Sequence, residues 1–242
     1  MKAAFISDIH GNAQALEAVL TDIESKQVDQ IIVLGDICFR GIEPKRSLEL
    51  VRSLQVPVVK GNADEWVVRG IRKGEVPDSV LEVMRIEREW TYGKLDESDI
   101  DFLKQLPTVH TFSLSDTWNV LCFHATPTSL FDIVTPTAAD HVVKEKLMAQ
   151  NQANLYLYGH IHLPYVRFID GKIVANLGSV GLPFDGVCQA SYLLVDGAEE
   201  QFSVTIQRVS YDIHSVCEQI EASDYPNPTF LQNVLKHGKP QR

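Results

Sequence analysis

The 242-residue chain is predicted to adopt an α/β fold, and three features of its sequence carry that prediction. Strand-like and helix-like segments alternate through the first 60 residues, as in β-α-β units. The strand signal then vanishes between Ala63 and Leu106, and two hairpin signals follow late in the chain. The alternation makes the sheet begin parallel, and the late hairpins make the rest of it antiparallel.

Lys2 to Ser7 reads as a strand, Asn12 to Lys26 as an amphipathic helix and Gln30 to Leu34 as a second strand. A helix over Lys45 to Leu54 and a strand over Val56 to Lys60 complete the opening pattern. Charged helical stretches, Ser79 to Trp90 and Ser98 to Gln105, are then punctuated by Gly70, Gly74, Pro77, Gly93 and Pro107. They predict a helical insertion or cap at about 63–107 within one domain spanning 1–242. Strands resume at Asn119 to Phe123 and Leu155 to Tyr158, with a helix near Ala138 to Gln150 between them. Asp170-Gly171 and Asp196-Gly197 lie between apolar runs and mark the hairpins, and Tyr211 to Ala222 and Pro228 to His237 close the chain as helices.

Composition narrows the function classes. With 45% hydrophobic and 22% charged residues the chain has the balance of a soluble globular protein. No apolar run approaches the ~20 residues that span a bilayer, and the start turns polar at Ser7-Asp8, so the expectation is a cytoplasmic protein with no membrane partner. Cys38, Cys122, Cys188 and Cys217 are scattered without a CxxC pair, which suggests neither a zinc ribbon nor a disulfide framework. A net charge of -10 argues against non-specific nucleic-acid binding, which draws its affinity from excess Lys and Arg. An anionic substrate then requires a local positive centre, and bound metal ions supply one.

The candidate ligands stand directly after strands. Asp8 and His10 follow Ala3-Ala4-Phe5-Ile6, Asp36 follows Ile31-Ile32-Val33-Leu34-Gly35, and Asn62 follows Val58-Val59-Lys60-Gly61. His124 follows Val120-Leu121-Cys122-Phe123, and His160 and His162 follow Leu155-Tyr156-Leu157-Tyr158-Gly159. Because the carboxyl ends of strands form the ligand-binding edge of an open α/β sheet, these placements gather the side chains on one rim. Oxygen and imidazole donors without thiolate suit manganese, zinc or iron. Two such ions ~3.5 to 4 Å apart activate a water and hold the entering and leaving oxygens of a displacement at phosphorus. Gly11, Gly35, Gly41, Gly61 and Gly159 sit beside the ligands, where backbone must turn sharply or approach a bound group.

These residues carry a resemblance to the calcineurin-like metallophosphoesterase superfamily, small bacterial phosphoesterase branch. Its blocks stand here as Asp8-Ile9-His10, Gly35-Asp36 through Arg40-Gly41, Gly61-Asn62-Ala63-Asp64, the lone His124, and Gly159-His160-Ile161-His162. Asn176-Leu177-Gly178-Ser179 is similar to the NPGS-type loop of that branch, with Leu177 where proline is usual. The resemblance implies a β-sandwich covered by helices on both faces and hydrolysis of a phosphoester or nucleotide phosphoanhydride by a dimetal-activated hydroxide. It implies two divalent ions, manganese ahead of iron, zinc or nickel. Asp8, His10 and His162 would hold one, Asn62, His124 and His160 the other, and Asp36 would bridge them. Arg40 stands where related phosphatases and diadenosine tetraphosphatases carry a phosphate-binding arginine. Asn62, Gly178 and Ser179 join Arg40 as expected substrate contacts, and Asp36, Asn62, Arg40 and His124 as the catalytic set.

The sequence departs from the family at two positions. Ala63 replaces a histidine that many members use to protonate the leaving group, and Phe39 replaces the acidic residue preceding the arginine in the phosphatase branch. Both point away from protein phosphatase activity and leave the general acid unassigned, with His141 and Asp64 as places to look. Asp64 reads equally as an orienter of a ligand or as a helix cap, and Trp66 as a packing residue or a platform for a substrate base. The expected partner is a small phosphorylated substrate, and the oligomeric state is not written in the sequence. The competing function is a scaffold, since the superfamily includes a retromer subunit that serves assembly, but a scaffold has no need of all seven ligands.

Overall fold

The period of two in Ala3-Ala4-Phe5-Ile6 sets the architecture. In strand β1 (Lys2–Ile6) Ala3 and Phe5 enter one buried apolar cluster while Ala4 and Ile6 enter another, so both faces of the strand are covered. The computed structural model describes residues 1–149, 152–198 and 201–240. β1 pairs in parallel with β2 (Gln30–Val33) and antiparallel with β8 (Ala190–Ala198), which pairs antiparallel with β9 (Gln201–Val209). The resulting sheet has the order β2-β1-β8-β9. The second sheet joins β3 (Val109–Ser113), β4 (Asn119–Phe123), β5 (Leu155–Tyr158), β6 (Tyr165–Ile169) and β7 (Lys172–Asn176) in the order β3-β4-β5-β7-β6.

Phe5, Ile32 and Leu193 of the first sheet share one apolar cluster with Val120, Leu157 and Ala175 of the second, forming the sandwich core. On the first sheet's outer face, Leu16, Val19 and Ile23 of α1 (Ala13–Ser25) and Leu48 and Val51 of α2 (Pro44–Ser53) cover Ala4, Ile6 and Val33. The same cluster takes in Trp66 and Val67 of α3 (Asn62–Arg69), Met84 of α4 (Asp78–Tyr92) and Leu103 of α5 (Glu97–Gln105). On the second sheet's outer face, Val143 of α6 (Asp140–Val143) and Leu147 of the π-helical turn that continues it pack on Phe123, Tyr156 and Tyr158. Helices α7 (Ile213–Ala222) and α8 (Pro228–His237) close on each other around Leu182 and Tyr225. Two mixed sheets flanked by helices are therefore the fold, as the sequence led us to expect.

Local chemistry explains the helix boundaries. The Asn12 side chain accepts from Ala15 N at 3.1 Å and caps α1. α8 starts with Pro228, which has no N–H to leave unpaired, and stops at Gly238 in the left-handed conformation.

Four elements differ from the sequence expectation. Val56 to Lys60 is no strand but a single parallel bridge, Val58 beside Val33, because Pro57 has no N–H to donate and Lys60 N turns away to Pro107 O at 2.7 Å. β3 was not anticipated. The expected helix over Ala138 to Gln150 is shorter, running from Asp140 to Val143 with its π-helical turn to Met148, and Gln150 lies outside the described residues. Asp196-Gly197 is not the turn, since both residues pair within β8 against Ser203 and Phe202, and the connection that follows lies outside the described residues.

Candidate metal centre

Asp8, Asp36, His124 and the His160/His162 pair follow β1, β2, β4 and β5, and Asn62 opens α3. The backbone leaves its strands under strain at these positions. Asp8, His10, Asp36, Arg40, His160 and His162 all have φ between 49° and 70°, in the left-handed region that Asp and His enter more readily than bulkier residues. Hydrogen bonds between loops hold these turns, Asp8 N to Gly35 O at 3.1 Å, His10 N to Asp36 O at 2.9 Å and Gly159 N to His124 O at 2.9 Å. Two glycines are required by space. A Cβ on Gly61 would stand 2.0 Å from Asp36 Oδ1, and one on Gly159 would stand 2.1 Å from Ser7 Oγ.

Three imidazoles are aimed by backbone carbonyls. His10 Nδ1 donates to Phe39 O at 2.8 Å, His124 Nδ1 to Leu34 O at 2.6 Å and His162 Nδ1 to Leu182 O at 2.5 Å. With Nδ1 held by a carbonyl, each Nε2 is turned toward the centre, the orientation a metal ligand needs. His10 Nε2 and His162 Nε2 lie 3.1 Å apart, and Asp8 Oδ1 lies 3.1 Å from the second and 3.8 Å from the first. Burial first, and then His162, pulls His10 down to about 4, so it is uncharged at neutral pH. Two ring nitrogens and a carboxylate oxygen packed this closely need a proton or a cation among them, and Asp8, His10 and His162 therefore fit a metal ion.

A second group adjoins the first through Asp8. Asp36 Oδ2 lies 3.3 Å from His124 Nε2 and 3.7 Å from His10 Nε2, and Asp8 Oδ1 lies 3.9 Å from His124 Nε2. Asn62 Oδ1 faces His124 Nε2 at 2.9 Å and His160 Nδ1 at 2.7 Å. Burial opposes charge on His124, yet Asp36 and Asp8 raise it to about 10, so a proton occupies in the metal-free protein the place a cation takes. Burial and the charged His124 likewise pull His160 down to about 4. Against the cost of burial, His124 and His10 keep Asp36 below the ordinary carboxylate range. The two groups, Asp8-His10-His162 and Asp8-Asp36-His124, form a candidate dimetal site. His110, His141, His214 and His237 belong to neither.

The structure also defines supports that the sequence left open. Asp64 is fully buried and orients no histidine. Its carboxylate accepts from Asp36 N at 2.8 Å, Ile37 N at 2.9 Å and Gly61 N at 2.8 Å, so it both caps α3 and joins the Asp36 loop to the Asn62 loop. Ala63 N donates to Asp36 Oδ1 at 2.8 Å, fixing the other carboxylate oxygen. Gly178 and Ser179 are buried and do not line the cleft at the metal centre. Ser179 Oγ donates to Asp8 O at 2.7 Å and accepts from Leu182 N at 2.8 Å, so this loop carries the Asp8 turn from behind.

The cleft beside the centre encloses about 400 Å³. Its lining combines His10, Asp36, Asn62, His160 and His162 with the apolar side chains of Trp66, Val76, Val80, Phe131, Ile133 and Phe184. Arg40 lines it as well. Its Nε stands 3.4 Å from Glu87 Oε2 and its guanidinium 4.2 Å above the Phe230 ring, while Nη1 and Nη2 have no hydrogen bond to protein among the described residues. Glu87, wholly buried on α4, accepts from Asn227 Nδ2 at 2.8 Å and is a partner that no motif announced. Phe184, stacked on His162 with ring centroids 4.3 Å apart, is another.

Comparison with known proteins agrees with this geometry. Residues 1–200 match the model of the calcineurin-like phosphoesterase superfamily domain. An uncharacterised protein of Methanocaldococcus jannaschii is 32% identical over 240 residues, covering 92% of this chain and 93% of that protein. Phosphodiesterase YfcE of Escherichia coli is 29% identical over 196 residues, covering 81% of this chain and 88% of YfcE. A metallophosphoesterase from Sphaerobacter thermophilus superposes with a TM-score of 0.78 at 27% identity, covering 98% of this chain and 99% of its own.

Proposed function

Since this chain belongs to the calcineurin-like phosphoesterase superfamily, we propose that it is a metal-dependent hydrolase of a small phosphoester or nucleotide phosphoanhydride. The observation that supports this reading best is the convergence of buried imidazole nitrogens and carboxylate oxygens at the edge of a cleft. Asp8, His10 and His162 would hold one divalent ion, and Asn62, His124 and His160 a second, with Asp36 between them. Manganese suits this donor set, as do iron, zinc and nickel. When bound there, divalent ions would supply positive charge to phosphate oxygens and a water whose pKa is lowered from about 15.7 toward ~7.

The chain's own residues do the remaining work. Arg40 lines the cleft beside His10 with both Nη atoms free, and it binds a phosphate oxygen by charge-assisted hydrogen bonds. Ion pairing to Glu87 and stacking on Phe230 hold its plane in place before substrate arrives. Asn62 lines the same space, and Ser179 acts behind the centre by holding Asp8 O rather than by touching substrate, with Gly178 outside the cleft as well. Ala63 presents a methyl group where a proton donor would stand, so the departing oxygen leaves without a proton from that position. α3, α4 and the segment between them supply Trp66, Val76, Val80 and Met84 to the cleft, and α3–α5 read as the insertion of a single domain. No described helix is long and apolar enough to cross a membrane, and a cytoplasmic setting remains our reading from composition.

Metal-stripped protein reconstituted singly with Mn²⁺, Zn²⁺, Mg²⁺ or Ni²⁺ and assayed on aryl phosphodiesters, aryl monoesters and dinucleotide polyphosphates tests the reading. Hydrolysis that chelation abolishes and one or more of these ions restores is the expected result. Failure of every ion on every substrate would remove the hydrolase reading in favour of a scaffold.

A further inference from the structure

The metal-centre residues account for only part of the cleft's lining. Much of the rest is an apolar wall, made by Trp66, Val76, Val80, Phe131, Ile133 and Phe184. Trp66 and Phe131 lie with ring centroids 5.8 Å apart at 33°, and Phe184 stacks on His162, which brings apolar lining up to a metal-centre residue. Its outer margin is exposed apolar surface, Ile133 at 71% and Val80 at 37%. The polar groups beside it are already engaged. Trp66 Nε1 donates to Glu75 Oε2 at 3.0 Å, and Arg69 holds Glu75 Oε1 at 2.7 Å. Arg40 is the only lysine or arginine lining the cleft among the described residues.

From this we infer that the cleft takes a phosphoester or phosphonate whose second substituent is a flat apolar or aromatic group, seated against the apolar lining that includes Phe131 and Phe184 while the phosphoryl group meets Arg40 and the metal centre. The inference rests on the phosphoesterase reading and names its substrate class. A volume of about 400 Å³ admits a one- or two-ring substituent together with the phosphoryl group, and is within the size of small-molecule sites that pair an apolar lining with few polar groups. A sugar or a polynucleotide would leave hydroxyls or phosphates against a wall with no free polar side chain to receive them, which is costly. An apolar ring gains instead, because removing roughly 60 Å² of apolar surface from water is enough for a tenfold gain in affinity.

Calorimetric titration of the Mn²⁺-loaded protein with methylphosphonate, phenylphosphonate and 1-naphthylphosphonate tests the inference without turnover. Affinity should rise at least tenfold from methyl to phenyl and not fall from phenyl to naphthyl. Ile133→Asn, at an exposed position that cannot unfold the core, should cut the phenyl-to-methyl ratio severalfold, and Phe131→Ala, checked by its melting curve, should cut it further. Equal affinity for all three probes overturns the inference, even where metal-dependent hydrolysis persists. Phenyl preference without hydrolysis of the corresponding p-nitrophenyl phosphonates would sustain the apolar subsite and remove the hydrolase reading, so the two failures are distinct. Sedimentation of the same samples completes the test, since self-association abolished by Ile133→Asn with no phenyl preference would assign the wall to a second copy of the chain and overturn the proposal.

Discussion

Asp64→Ala should weaken the metal-free protein by about 3 kcal/mol at pH 8, and by more in acid. The side chain accepts three buried amides, those of Asp36, Ile37 and Gly61. Orphaning each costs ~1 to 3 kcal/mol, which sets a gross loss near 6 kcal/mol. Burial, followed by the charge of Asp36, raises the Asp64 carboxyl to about 6 from the ordinary 3.8. Carrying its charge at pH 8 therefore already costs the native protein about 3 kcal/mol, which the alanine variant escapes. The sign follows from proton binding. Between the unfolded pKa and about 6 the folded state binds more protons, so this group's contribution is complete below 3.8 and is lost as pH rises through about 6. The gap between wild type and variant should then widen as pH falls from 8 to 5. Urea unfolding of chelator-treated proteins across that range measures it. A gap under 0.5 kcal/mol at pH 8, or one that narrows in acid, would refute the assignment of Asp64 as the tie between the two loops.

Asp36→Asn should reduce metal binding at both ions, because Asp36 Oδ2 faces His10 and His124 alike, and unchanged metal content would contradict a bridging role. Arg40→Ala should lower kcat/KM by about 10-fold or more, the loss of one charge-assisted hydrogen bond of ~1.5 to 3 kcal/mol, while two metals stay bound; unchanged kinetics would leave Arg40 as a partner of Glu87 alone. A positioned general acid contributes ~10² to 10⁴-fold for a basic leaving group, so without one at Ala63 kcat/KM should fall steeply as leaving-group pKa rises across aryl and alkyl esters. Ala63→His should flatten that slope, and a flat wild-type slope with chemistry rate-limiting would place the proton donor elsewhere.

How much of this was legible in the sequence depended on whether a residue's role is local. The seven candidate ligands were readable because each closely follows an apolar run, and the structure brings their side chains together. The cap role of Asp64 was offered by the sequence, but its tie to the Asp36 loop was not, because those bonds reach across 28 and 27 residues to Asp36 and Ile37. Nor was the Arg40–Glu87 pair, which depends on how α4 packs beside the Asp36 loop. β3 escaped because it is an edge strand with no fully buried residue, so His110, Thr111 and Ser113 mask its alternation. Asp196-Gly197 misled for the opposite reason, since a dipeptide that suits a tight turn was absorbed by a longer ladder in which Asp196 opposes Ser203.

The central claim is that the seven side chains hold two ions and that hydrolysis depends on both. Metal-free protein titrated with Mn²⁺, with bound metal counted per chain at each step and hydrolysis of an aryl phosphodiester followed on the same samples, tests it directly. The account predicts saturation at two ions per chain, with activity rising steeply only as the second site fills. Saturation at one ion with full activity, or two bound ions with none, would contradict it.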